Sequence, residues 1–125
     1  MLNEINNVAL IAGYWTSIAN ESFLGVTCHT IDSSWVIHSF ALTVFHTEER
    51  HYSDVCAQHL MEVIKQWYID EKVTTINTDN ARNIVGAVAL LPFEHMPCVA
   101  HILQLSINKA LSEASIQKLL AKCRK

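Results

Sequence analysis

The chain has 125 residues, a formal charge of -3 and a hydrophobic half, which is enough for one domain with its own core and unlike a disordered segment. The acidic balance excludes a strong free-standing nucleic-acid binder, because phosphate recognition needs Lys and Arg concentrated on one surface. The apolar runs at residues 8–11 and 85–91 fall well short of the roughly 20 residues of a membrane helix, so no membrane partner is expected.

Taken in order, the start Met-Leu-Asn-Glu-Ile-Asn-Asn lacks the basic and apolar regions of a signal peptide. Residues 8–16 have the near-continuous apolar and aromatic character of a central strand buried on both faces. Residues 17–22 read as a short turn and residues 23–31 as a second strand, with Phe23, Gly25, Thr27 and His29 on one face and Leu24, Val26, Cys28 and Thr30 on the other. Asp32-Ser33-Ser34 supplies another turn, and residues 36–45 a third strand. From Ser53, a plausible N-cap, the period changes to 3.6, with Cys56, Leu60, Val63, Ile64, Trp67 and Tyr68 on one stripe of a helix that runs to about Ile69.

The β-branched run Val73-Thr74-Thr75-Ile76 leads into Thr78-Asp79-Asn80, and Ile84, Val85, Val88 and Leu91 follow at helical spacing up to Pro92. That is strand, tight turn, helix. In an α/β sheet ligands and catalytic groups gather at the carboxyl ends of strands, so Asp79 occupies the position of a working carboxylate; the alternative is that Asp79 or Asn80 only caps the helix. Residues 96–100 read as a short fifth strand, and His101 opens a last helix with Leu103, Ile107, Ala110 and Leu111 inside. The order βββαβαβα implies an α/β fold with a mixed five-stranded sheet of the ribonuclease H-like kind, since crossover helices make the later strands parallel.

The cysteines Cys28, Cys56, Cys98 and Cys123 are scattered, with no CxxC pair, and read as free, mostly buried thiols. Cys98 and His101 stand at i, i+3, and His95 extends the row, but a structural zinc site needs four ligands and no second CxxC or HxxxH supplies them. No bound metal is expected. Trp15, Trp35 and Trp67 lie on separate elements and read as core and rim packing rather than a base-stacking platform. The basic C-terminus, with Lys118, Lys122, Arg124 and Lys125, reads as a solvated helix end.

Four pieces in this order resemble the hAT superfamily of transposases and their domesticated zinc-finger BED-type relatives over nearly the whole chain. They are Tyr14-Trp15-Thr16-Ser17, His51 ahead of the first long helix, Thr78-Asp79-Asn80-Ala81-Arg82-Asn83, and Cys98-Val99-Ala100-His101 with Leu103-Gln104-Leu105. The resemblance implies a partial ribonuclease H-like transposase core, with the family's zinc finger and dimerisation region outside it. The family reaction uses two metal ions held by carboxylates. The family's first Asp stands two residues before the Trp; here that position is Gly13.

Asp79 matches the second Asp, and the third acidic residue follows a large insertion that the chain does not reach; Glu113 is too early in the last helix to be that residue. Tyr52, where the family usually has Thr after His51, is a further departure. The resemblance therefore implies a vestigial Asp79, a non-enzyme with no cofactor, and a place among nuclear DNA-binding transcription regulators. Magnesium or manganese enters only under the alternative, part of an active transposase. DNA contact by this piece is expected to be weak and salt-sensitive, self-association is expected where apolar faces lack partners, and no small-molecule substrate is expected.

Overall fold

The computed structural model describes residues 5–47 and 52–123. Strands β1 (Val8–Thr16), β2 (Ser22–Ile31) and β3 (Ile37–Thr47) form an antiparallel meander, followed by α1 (Ser53–Gln66), β4 (Val73–Thr78), α2 (Arg82–Ala89), β5 (Glu94–Pro97), α3 (Val99–Leu111) and α4 (Ala114–Cys123). The sheet order is β3-β2-β1-β4-β5, with β4 parallel to both β1 and β5. Strand β1 is thus central and next to β4, as the element order implies.

Both meander turns have a side-chain cause. In the first, the Glu21 N–H donates to Ser17 Oγ at 3.1 Å while the Ser17 N–H donates to the Glu21 carbonyl at 2.7 Å. In the second, Asp32 Oδ1 accepts from the Ser34 and Val36 N–H groups at 2.8 and 3.0 Å, and His38 Nε2 lies 2.8 Å from Asp32 Oδ2. The bond from His38 is the main reason that the Asp32 carboxyl titrates below its ordinary range.

Alternation along the strands puts Leu10, Leu24, Val26 and Cys28 on one face, where α1 and α2 cover them with Leu60, Ile64, Ile84 and Val88. A register shift between β1 and β4 turns Val73 and Ile76 to that same face although they are three residues apart; Thr74, the extra residue, bonds through Oγ1 to the Val8 carbonyl at 3.1 Å. Each of the fully buried Leu and Ile side chains contributes about 1.5–3 kcal/mol by leaving water.

Several boundaries and burial assignments differ from the sequence reading. Helix α1 ends at Gln66, not near Ile69: the Tyr68 N–H bonds to the Lys65 carbonyl and the Ile69 N–H to the Ile64 carbonyl, and Tyr68 takes φ 53°, the backbone of a Schellman cap with tyrosine where glycine is usual. This turns Trp67 and Tyr68 to solvent and buries Ile69 instead. Ser53 is the first helical residue rather than the cap, which is Tyr52 with no side-chain bond to the helix. Strand β5 starts and ends earlier than expected, His101 falls in the first turn of α3 rather than at its start, and a break at residues 112–113 divides the last helix in two.

The largest correction concerns the far side of the sheet. Strand β1 is not buried on both faces: Ile11 and Trp15 on its second face are nearly half exposed, and Trp35, at φ 62° in the second turn, is 85% exposed. No tryptophan belongs to the core. On α3, the expected inner stripe of Leu103, Ile107, Ala110 and Leu111 is exposed, because α3 and α4 contribute no buried residue. The amphipathic pattern is present without an element for it to face.

Candidate functional site

At the carboxyl end of β4 the buried Thr78 organises the turn. Its Oγ1 donates to the Asp79 carbonyl at 2.8 Å and accepts from His95 Nε2 at 2.9 Å, which assigns the ring proton to that nitrogen, and its carbonyl accepts from the Cys98 N–H at 2.9 Å. A β-branched hydroxyl suits both demands, a strand-compatible backbone and a satisfied buried polar group. Asp79 is then held just past the strand, where its Oδ1 accepts from the Ala81 N–H at 3.1 Å. This is an Asx turn leading into α2, whose cap residue is Ala81 with no side-chain bond, so the capping alternative holds only in this modified form.

The parallel register pairs Ala12 with Thr78, which sets Gly13 beside Asp79 on the neighbouring strand. A Cβ added at Gly13 would meet nothing within 4 Å. The position has room for a side chain and carries none. Trp15, Thr16, Asp79 and Asn83 line a small cavity of about 170 Å³ here, between the ends of β1 and β4 and the start of α2. With Tyr14 and Ala81, which line it too, six residues of the motif pieces converge at one place, and those from β1 directly follow Gly13 in the chain.

The others do different work. Ser17 closes the first meander turn, Asn80 is exposed in the Asx turn, and Cys98 and His101 form the junction of β5 and α3, with Cys98 tied to Thr78 through its backbone. His51 lies outside the described residues. Among the described residues no three His, Cys, Asp or Glu side chains lie together as a metal-holding group.

Tyr14, from the first motif piece, and His59, which the sequence reading did not single out, support the site from beneath. Tyr14 points to the helix-covered face, where its hydroxyl lies 3.3 Å from His59 Nδ1 on α1. Burial, helped by a hydrogen bond with Cys56, raises the Tyr14 phenol far above its ordinary range, and burial raises Cys56 as well. Cys56 is thus a neutral packing thiol and no nucleophile. Alternation in β1 was the available signal, since Tyr14 shares the parity of Leu10 and Ala12.

Among the described residues the donor set does not fill a two-metal centre. Asp79 offers one carboxylate, one of whose oxygens already accepts a backbone bond, and Gly13 offers no ligand where a second carboxylate would bridge. What Asp79 does here is order the turn. Its replacement by alanine is expected to lower stability by about 1 kcal/mol, read as a shift of the urea midpoint at unchanged m value; a loss under about 0.3 kcal/mol would remove the turn-ordering role.

Residues 11–97 match the family model described as the ZBED1 RNase-like domain. The chain is similar to the "Putative transcriptional regulator tpeD" of Talaromyces stipitatus, 29% identical over 92% of this chain, and to the "Putative AC transposase" of Zea mays, 29% identical over 86% of it. It spans only 15% of the length of each. Among solved structures it is similar to the HTLV-2 integrase catalytic core domain in complex with magnesium, at 12% identity and a TM-score of 0.41 over 89% of this chain and 75% of that one. It is also similar to the catalytic domain of Mos1 mariner transposase, at 16% identity and a TM-score of 0.38 over 94% and 68%.

Proposed function

Because the chain belongs to the ZBED1 RNase-like domain family, we propose that it is a transposase-derived core that no longer cuts or joins DNA and serves a nuclear DNA-binding regulator of the BED zinc-finger type. The observation that carries this reading is Gly13 standing one residue past the last parallel pair, Ala12 with Thr78, at the same end of the sheet as Asp79, which follows Thr78. Strand cleavage by two metals needs carboxylates on both sides of the ion pair, because each ion must hold an attacking or leaving oxygen while keeping its own oxygen shell. A hard cation gains little from a single monodentate Asp, and water competes with it on nearly equal terms.

The regulatory half of the proposal is supported by one relative, the "Putative transcriptional regulator tpeD". Net charge -3 makes this piece a poor source of DNA affinity by itself, so specificity and most of the affinity come from other parts of such a protein. What this core contributes is a folded platform.

Incubation of the chain with labelled double-stranded and hairpin DNA in magnesium or manganese is expected to give no metal-dependent cleavage, with the Asp79→Ala variant indistinguishable from it. The Gly13→Asp variant is also expected to stay inactive, since it restores one acidic position beside Asp79 and supplies no third ligand. Cleavage by the unaltered chain that disappears in Asp79→Ala would overturn the reading, and would mean that another carboxylate completes the centre.

A further inference from the structure

The cavity at the ends of β1 and β4 has a lining that the ordering of the turn does not use up. Trp15 forms one wall. Its six-membered ring lies over Gly25, where an added Cβ would come within 2.7 Å of the indole, and the indole stacks on Phe23 with centroids 5.7 Å apart and planes 20° from parallel. Phe23 in turn meets His46 edge-on at 5.4 Å, so Trp15, Phe23 and His46 make a row across paired positions of β1, β2 and β3. The indole is thus held from two sides and is still 47% exposed. A flat ring fixed in place with a free surface suits a planar ligand, because little side-chain freedom is lost when the ligand stacks on it.

The polar groups around Trp15 restrict which planar ligand fits. Asp79, Asn83 and Thr16 line the same cavity. Among the described residues the Asp79 side chain makes one bond, from the Ala81 N–H to Oδ1, and the side chains of Asn83 and Thr16 make none. A carboxylate only accepts, and its two oxygens match two donors set side by side. Of the DNA bases, guanine alone carries two such donors on its pairing edge, the ring N–H and the amino group. Adenine and cytosine set an acceptor beside the amino group, and thymine sets a carbonyl on each side of its N–H. The cavity, about 170 Å³, is well below the roughly 300–1,000 Å³ of sites for drug-sized ligands and has room for one ring system, with sugar and phosphate left outside. In a duplex the pairing edge is occupied and both faces of the base are stacked, so the base has to be unpaired.

We infer that this cavity takes an unpaired guanine of a DNA strand, stacked on Trp15 with its ring N–H and amino group donated to Asp79. The inference rests on the non-catalytic reading of the site, under which Asp79 is free of metal. Arg82, exposed at the start of α2 between the cavity residues Ala81 and Asn83, adds a positive charge beside the cavity, of the sign that the adjoining phosphate requires. A single stacked base contributes modest affinity, so at net charge -3 the contact selects a base and leaves the bulk of DNA binding to other parts of the protein.

The test is fluorescence anisotropy of short labelled DNA titrated with the 125-residue chain, in EDTA and in magnesium. The probes are an all-dT strand, the same strand with one central dG, dA or dC, and the dG strand annealed to its complement. In both buffers the dG strand is expected to bind about tenfold tighter than the other single strands, the size of one good bidentate contact, and annealing is expected to remove the gain. Asp79→Asn is expected to abolish the preference at an unchanged urea midpoint, because the asparagine side-chain oxygen closes the same Asx turn while its NH₂ group sets a donor against a donor. Trp15→Leu is expected to weaken binding of every single strand. Equal binding of the single strands overturns the inference, as does a dG preference that survives annealing or Asp79→Asn, or that is confined to EDTA. Unchanged affinity in a folded Trp15→Leu variant overturns it too. If that variant fails to fold, the Trp15 indole N–H resonance of the unaltered chain decides: a shift on adding the dG strand supports stacking, and no shift overturns it. Cleavage of the strands in magnesium overturns the non-catalytic reading and this assignment with it, whereas absence of both cleavage and preference overturns the assignment alone.

Discussion

Replacing Leu10 by alanine is expected to lower the free energy of unfolding by about 3 kcal/mol, among the largest effects available to a single substitution in a domain of this size. Leu10 is fully buried in the central strand, where it pairs with Cys28 on one side and Ile76 on the other, both themselves fully buried. The space left by its side chain would be ringed by sheet backbone and by α1 and α2, which cannot collapse into it without disturbing the pairing. Urea unfolding followed by circular dichroism measures the effect; a loss below about 1 kcal/mol would show that the centre of this core is loosely packed.

The second large effect is expected at Gly86. A Cβ there would run into the Ser53 side chain, so α2 lies close against the start of α1 and a side chain at this position has to displace Ser53. Gly86→Val is expected to cost about 2 kcal/mol, because the two added methyls force the helices apart over a core with no slack. Helix propensity favours the substitution by a few tenths of a kcal/mol and is outweighed. The double variant with Ser53→Gly separates the two contributions: recovery of at least half the loss is expected, and full additivity would place the strain elsewhere.

The sheet and its order were legible in the sequence because they rest on strong local signals. Alternation in residues 23–31 and the period change at Ser53 are properties of neighbouring residues, and the crossover rule converts them into parallel pairing. That β1 and β4 are neighbours was legible; that Trp15, Thr16, Asp79 and Asn83 then line one cavity is a matter of side-chain placement that the motif spacing does not carry. The details that escaped are those that depend on what lies across from an element. Residues 8–16 read as doubly buried because Ile11 and Trp15 are as apolar as Leu10 and Ala12; only the absence of a covering layer distinguishes them. The stripe on α3 is of the same kind. Tyr68 misled for another reason, since a Schellman cap normally advertises itself with glycine, and here a tyrosine bears the strained φ in order to bury Ile69.

The position of β1 also sets the order in which the molecule assembles. Its pairing with β2 closes over a turn of a few residues, whereas its pairing with β4 joins partners as far as 66 residues apart, as in the bond from Thr74 to Val8. Closing the longer loop costs more chain entropy, so the meander is expected to form before β4 docks. Until then β1 is an edge strand, and its unpaired side presents the backbone of Val8, Ala9, Leu10 and Ile11, a short uncharged run of the sort that recruits other chains. The partner that closes this edge ends only at residue 78, so the edge is expected to be the site where misassembly competes with folding.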